Sequence, residues 1–135
     1  MNPADYYDLV LAAICVWREF RGEPFGTKLA GAFVIRNRVR SGGRWPARAS
    51  LVVLQKHQFS SFSPGDPNAV KFPDPEDQAW LDCCQAVAMS LDPTTPDPTG
   101  GANHYHSVPE GQPPPSWAEG KKPTLDTGST KFYRL

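Results

Sequence analysis

The sequence predicts an α+β domain, mainly α, with a central buried helix and a small β or irregular proline-rich flap. Two observations carry this. Apolar residues recur at helical spacing through the first two thirds of the chain. The 15 prolines are unevenly spread: three up to Pro46, four between Pro64 and Pro75, and eight between Pro93 and Pro123. Proline inside a helix removes a hydrogen bond and clashes with the preceding turn, so the second half cannot stay helical for long. One domain over 1–135 is expected, since domains run to about 100–200 residues. A chain near this length buries roughly two thirds of its unfolded surface, enough for one core.

The first helix is expected from Asp5 to about Phe20. Leu9, Ala12, Ala13, Val16, Trp17 and Phe20 follow the i, i+3, i+4, i+7 pattern. It is apolar nearly all round, which places it centrally, and Gly22 and Pro24 end it. A second helix runs from about Gly26 or Thr27 to Arg40, with Leu29, Ala30, Phe33 and Val34 in its stripe. Ser41-Gly42-Gly43 stops it. A short third helix covers Ser50 to Gln55, and His57 to Pro73 reads as loop. A fourth helix is signalled by Asp74 as N-cap, Pro75 at its first position, and a stripe from Ala79 to Leu91. Beyond it, Asn103 to Val108 reads as a short strand, Gly111 to Pro123 as loop, and Lys131-Phe132-Tyr133 as a final strand or docked tail.

Composition excludes several function classes. Lysines and arginines number 14 and acids 14, so the formal net charge is zero and no nucleic-acid partner is expected. The longest apolar run, Leu9 to Trp17, is far shorter than the ~20 residues that span a bilayer. No membrane insertion is expected. No positive segment precedes that run, so no secretory signal is read, and the expected location is the cytoplasm of the producing cell. Three cysteines, two of them adjacent, suit buried reduced thiols rather than a disulfide framework. His104 and His106 would share one face of a strand, and His57 could complete a zinc site in principle. Without a HExxH pattern or a nearby cysteine, no metal or other cofactor is expected.

The run Trp17-Arg18-Glu19-Phe20-Arg21-Gly22-Glu23-Pro24 carries the chemistry. A glutamate at the end of the most apolar helix sits at the mouth of the core. Desolvation raises a carboxyl pKa, as a general acid near neutral pH requires. The helix's negative end pushes the same way. Arg18 and Arg21 would oppose it. From residue types alone, a surface turn in which Glu19 and Glu23 pair with these arginines is the favoured reading.

Five elements in order now enter: Glu19-Phe20-Arg21-Gly22-Glu23-Pro24; Val34-Ile35-Arg36-Asn37-Arg38-Val39; Gln58-Phe59-Ser60; Asp97-Pro98-Thr99-Gly100-Gly101-Ala102 with His104-Tyr105-His106; and Trp117 with the terminal Phe132-Tyr133. Together they resemble the SleB-type cell wall hydrolase family, which includes spore cortex-lytic enzymes and phage endolysins. Phe20 stands where the family has a small residue, adding bulk beside the catalytic position. Lys131 stands where a His is frequent. The resemblance implies a lysozyme-like domain, acting as a monomer, that cleaves the MurNAc–GlcNAc bond of the peptidoglycan glycan strand. It implies Glu19 as the catalytic acid and Glu23 as a site organiser. A cell wall enzyme in which no secretory signal is read is expected to be an endolysin that meets the wall after holin-type release, with a bacterial enzyme or one delivered by a secretion apparatus as the alternatives.

Glycoside hydrolysis usually takes two carboxyl groups at a set spacing. Glu23 lies beyond a broken helix, and Asp66, Glu110 and Asp126 are other candidates, all on loops. A lytic transglycosylase needs one Glu, because the muramic 6-hydroxyl is the nucleophile. That is the favoured expectation. A hydrolysing muramidase and a non-catalytic peptidoglycan-binding module are the alternatives. Gln58, Ser60, Ser61, Asn103 and Tyr105 can hydrogen-bond sugar groups, and Phe59, Phe62, Tyr105 and Trp117 can stack on sugar faces. Each aromatic can equally be core.

Overall fold

A computed structural model describes residues 1–56 and 58–135. Four helices form one layer system: α1 (Pro3–Phe20), α2 (Phe25–Val39), α3 (Ala49–Leu54) and α4 (Gln78–Leu91). Three short strands follow, β1 (His104–Ser107), β2 (Leu125–Asp126) and β3 (Thr130–Tyr133). They make an antiparallel sheet in the order β1-β3-β2, with Tyr105 opposite Phe132 and Leu125 opposite Phe132. Helices and sheet are segregated along the chain, as the α+β reading expects.

α1 is the central element. Ala12, Ala13, Cys15, Val16, Trp17 and Phe20 are buried in it, and it packs against α2, α3 and α4. It begins two residues before the expected start, because the Asn2 side chain accepts from the Asp5 amide at 2.9 Å and Pro3 fits the first turn. α2 begins at Phe25, directly after Pro24. α4 begins later than expected. Asp77, not Asp74, is its cap: one Asp77 oxygen accepts from Ala79 N at 3.2 Å and the other from the Trp17 indole at 3.2 Å. Asp74 closes a separate turn through Glu76 N at 2.9 Å. Two tandem Asp caps compete, and the tertiary bond to α1 accompanies the second. β2 was not expected, and the loop after α3 contains two 3₁₀ turns, Ser60–Phe62 and Pro67–Val70.

Two contacts join the layers. Asn37 on α2 donates to Asp97 Oδ2 and to the Ala102 carbonyl, both at 2.9 Å. Asp97 also accepts from Thr99 N, Thr99 Oγ1 and Gly101 N, at 2.7, 2.6 and 3.1 Å. Burial alone would raise the Asp97 carboxyl, but these hydrogen bonds outweigh it and hold it below its ordinary value. The Asp97–Ala102 segment is thus a preformed turn that hands the chain to β1. Gly100 and Gly101 have φ of 67° and 85°, which L side chains rarely adopt.

The second contact is Phe20. Its bulk enters the core, where it is 4% exposed and lies 4.9 Å from the Tyr105 ring and 6.4 Å from Phe132, centre to centre. It fits because Gly31 on α2 has no side chain: a Cβ there would stand 2.4 Å from Phe20 Cε2. We predict that Gly31→Ala destabilises the fold. Overpacking costs about 1–3 kcal/mol, and the better helix propensity of Ala offsets at most about 1 kcal/mol of it. Urea unfolding reads the difference, and a variant as stable as the parent would show that the ring yields freely.

Candidate active site

A cavity of about 680 Å³ opens between the end of α1, the Gln58–Ser63 loop and β1. Glu19, Glu23, Gln58, Phe59, Ser60, Tyr105 and Trp117 all line it. Its size suits a ligand of several rings.

Glu19 lies on the last turn of α1 and is half-buried. Burial raises its carboxyl above the ordinary value of 4.5. The Ser61 hydroxyl and amide pull the other way, and Asp66 pushes it further up. The net direction is upward. Ser61 is 1% exposed. Ser61 is therefore part of the Glu19 surroundings, not an exposed sugar contact.

The arginines do not pair with Glu19. Arg18 is 6% exposed and points into the loop that follows α3. It donates to the carbonyls of Ser61, Ala69 and Lys71 at 3.2, 3.2 and 3.1 Å. Its guanidinium lies over the rings of Phe62 at 4.6 Å and Phe72 at 5.0 Å. Phe62 is spent on this stack and does not line the main cavity. Arg21 donates to the Arg18 carbonyl and to Asn68 Oδ1, each at 3.0 Å. The two arginines thus fasten the 61–71 loop against α1 and leave the carboxyl without a cation. Among the described residues the ion pairs are those of Arg48 with Asp5 and Asp8, on the far end of α1. The surface-turn reading of this segment is excluded.

Glu23 sits past the helix break. Its carboxylate accepts from Ser129 Oγ at 2.9 Å, and its carbonyl accepts from Lys28 Nζ. It ties the turn between β2 and β3 to the α1–α2 corner across the cavity rim. Tyr105 is next to Glu19 in charge terms: burial raises its phenol well above the ordinary value, and the Glu19 carboxylate adds to that. It remains a protonated donor at neutral pH. Gln58 Oε1 accepts from Arg38 Nη1 at 3.1 Å. Phe59 is 4% exposed and belongs mainly to the core.

Asn103 does not line the cavity. Its side chain bridges Leu135 N and O at 3.0 and 2.9 Å and meets His104 Nδ1 at 2.7 Å, so it closes the end of the sheet. Of the alternative carboxylates, Asp66 accepts from Asn68 N at 2.8 Å and Asp126 from Gly128 N at 2.9 Å. Neither of these, nor Glu110, lines the cavity.

His104 and His106 were considered only as zinc ligands, yet they line the cavity together with Trp117, already a stacking candidate. His104, His106 and Trp117 form an aromatic wall, with ring centres 5.2 Å (His104–Trp117) and 5.6 Å (His106–Trp117) apart. His106 also stacks on Tyr133 at 5.5 Å and meets its hydroxyl at 3.0 Å. Burial, then Arg38 and Arg44, push His104 down to about 4, so it is neutral at physiological pH. His57, the third member of the zinc trio considered from sequence, lies outside the described residues. Among the described residues no group of three His, Cys, Asp or Glu side chains could hold a metal ion. No described helix is long and apolar enough to cross a membrane. The shared face of His104 and His106 was readable from their spacing, but nothing local told that a Trp from the 3₁₀ turn Ser116–Ala118 would cover it.

A family model described as Cell Wall Hydrolase matches residues 22–133. The chain belongs to the cell wall hydrolase family. It is a peptidoglycan-degrading enzyme. The match begins three residues after Glu19, so it takes in Glu23, Gln58, Tyr105 and Trp117 but not the buried carboxyl. Two solved structures resemble the whole chain. One is the catalytic domain of the Bacillus cereus SleB protein, with TM-score 0.75 and 26% identity, covering 99% of this chain and 94% of that one. The other is the catalytic domain of the germination-specific lytic transglycosylase SleB from Bacillus anthracis, with TM-score 0.75 and 25% identity, covering 99% of each chain. A search of curated protein sequences gives no match. The lysozyme-like α+β architecture of this cell wall hydrolase is therefore shared with SleB catalytic domains along its full length.

Burial of Glu19 has a consequence for stability. Its native pKa is raised, so in the unfolded chain the carboxyl ionises first as pH rises. Stability from this group is greatest below the ordinary value, falls between that value and the raised native one, and is constant above both. Glu19→Gln removes the penalty. Its thermal midpoint should exceed the parent's at neutral pH, and the difference should vanish near pH ~4. A difference independent of pH would contradict the raised carboxyl.

Proposed function

We propose that this cell wall hydrolase is a lytic transglycosylase that leaves 1,6-anhydro-MurNAc ends, with Glu19 as acid and then base. The observation that carries this is a desolvated carboxyl on the cavity wall with no cation paired to it, beside a second lining carboxylate, Glu23, that is engaged by Ser129. Glu19, its carboxyl raised by burial, gives its proton to the glycosidic oxygen as the bond from C1 breaks. The resulting carboxylate then accepts the proton of the C6 hydroxyl of the same muramic residue. That oxygen bonds to C1, and no water enters the product. Tyr105, beside Glu19 and protonated, serves as a donor to the substrate, and Trp117 with the imidazoles offers stacking area for sugar faces. The lytic transglycosylase named among the structural relatives supports the reading.

Glu23 lines the same cavity, which keeps hydrolysis as the second reading. Its carboxylate is engaged by Ser129, which fits an organiser of the rim better than a free base. We also propose that the chain acts as an endolysin, accumulating in the producing cell and meeting the wall after holin-type release. The aromatic wall supports glycan binding without catalysis as well, and Glu19→Gln separates the two. It should keep binding sacculi while clearing falls by about 10²–10⁴-fold. Products made in ¹⁸O water should carry anhydro ends without label. Labelled reducing ends would establish hydrolysis instead, and undiminished clearing by Glu19→Gln would remove Glu19 from the mechanism.

A further inference from the structure

Two buried arginines flank the centre of the molecule, and they are used differently. Arg18 spends Nε, Nη1 and Nη2 on three backbone carbonyls and does not line the cavity. Its position is explained by the loop it holds. Arg38 is equally buried, at 5% exposure, but it lines the cavity.

Arg38 Nε donates to the Asn103 carbonyl at 2.8 Å, and Nη1 donates to Gln58 Oε1 at 3.1 Å. The rings of Trp45 and Phe59 lie 5.0 and 5.1 Å from the guanidinium carbon. These neutral partners fix the plane of the fork without balancing its charge. No carboxylate pairs with it, since every ion pair among the described residues involves Arg48. The acidic hydrogens nearest it in charge terms, on Tyr105 and Cys15, are both held on by burial. A guanidinium has five N–H donors in a planar fork that matches a carboxylate, and the two acceptors named take only two. A buried cation is expensive unless a counter-charge meets it. Here the open side is the cavity. The neighbouring His104, neutral at physiological pH because of burial first and then Arg38 and Arg44, brings no counter-charge to this end of the cavity.

We infer that Arg38 is an anion-binding subsite of the groove and takes a carboxylate of the substrate. This rests on the glycan reading above. On a peptidoglycan strand the carboxylate has two sources: the lactyl group of a muramic residue stripped of its peptide, or an acid within the stem peptide. A preference for acidic strands follows, separate from the bond-breaking step at Glu19.

The test is an NMR titration of the full chain with three soluble probes. N-acetylglucosamine has no carboxylate. N-acetylmuramic acid carries the lactyl carboxylate. N-acetylmuramoyl-L-alanyl-D-isoglutamine has that group amidated and carries its acid on the peptide. One of the two acids should bind about ten-fold more tightly than N-acetylglucosamine, as a charge-assisted hydrogen bond provides, and should move the Arg38 Nε–H resonance. Which acid does so identifies the source. Arg38→Gln should bring that acid down to the affinity of N-acetylglucosamine. Equal affinity for all three probes, or a preference that survives in Arg38→Gln, overturns the subsite. If Arg38→Gln does not fold by circular dichroism, the wild-type Arg38 resonance decides: it must shift with the acid and stay put with N-acetylglucosamine at equal occupancy. Failure of the glycan reading looks different, since then no probe moves any cavity resonance and sacculi are not digested.

Discussion

The desolvation of one carboxyl at the end of α1 is the constraint around which the molecule is arranged. An exposed Glu at a helix end would be ionised at neutral pH and could not deliver a proton. Three features push Glu19 the other way, toward a raised carboxyl. α1 is buried along the face that carries Val16, Trp17 and Phe20. The loop after α3 is drawn over the carboxyl by Arg18, whose three carbonyl bonds replace the ion pair that proximity would have favoured. Asp66, on the same loop, adds like charge. An arginine beside a catalytic acid would ordinarily depress it. This one does not, because its guanidinium is turned away into backbone acceptors and two phenyl rings.

The sheet supplies the opposite wall, and its placement depends on side chains from α2. Asn37 grips the Asp97 turn and the Ala102 carbonyl, and Arg38 grips the Asn103 carbonyl. Successive residues of α2 therefore set where β1 starts and so where Tyr105 and the two imidazoles stand. Ser129 closes the rim on Glu23. The Asn-Arg pair and the Asp-Pro-Thr run, far apart in sequence, are two halves of one joint. Among the described residues no proline lines the cavity, but Pro64 follows the lining residue Ser63 and Pro115 stands two positions before the lining Trp117. Restricting an irregular loop there lowers the entropy lost on ordering it.

The helices were legible because their apolar period is local, and the α1–α2 break was legible from Gly22 and Pro24. Boundaries failed where two local signals competed, as with Asp74 and Asp77. The choice between them coincides with a bond from Trp17, sixty positions away. β2 was missed because two residues carry no period. At the site, Glu19, Tyr105 and Trp117 were found through motif resemblance and lie on the cavity wall. Asn103 was read as a ligand contact from its chemistry, but its amide is consumed by the chain end. Ser61 was read as a sugar contact and is buried next to Glu19. Arg38 was read only as part of the Val34–Val39 motif element, with no role in the groove. Its role depends on what does not pair with it, and sequence spacing holds no information about that.

The account turns on burial raising the Glu19 carboxyl above its ordinary value. The most direct measurement is a ¹³C NMR titration of the glutamate side-chain carboxyls in the intact chain, with Glu19→Gln identifying the resonance. The account predicts that the Glu19 signal titrates above the ordinary glutamate value of 4.5. A midpoint at or below that value would contradict it, and the buried carboxyl could then no longer be the acid of the reaction.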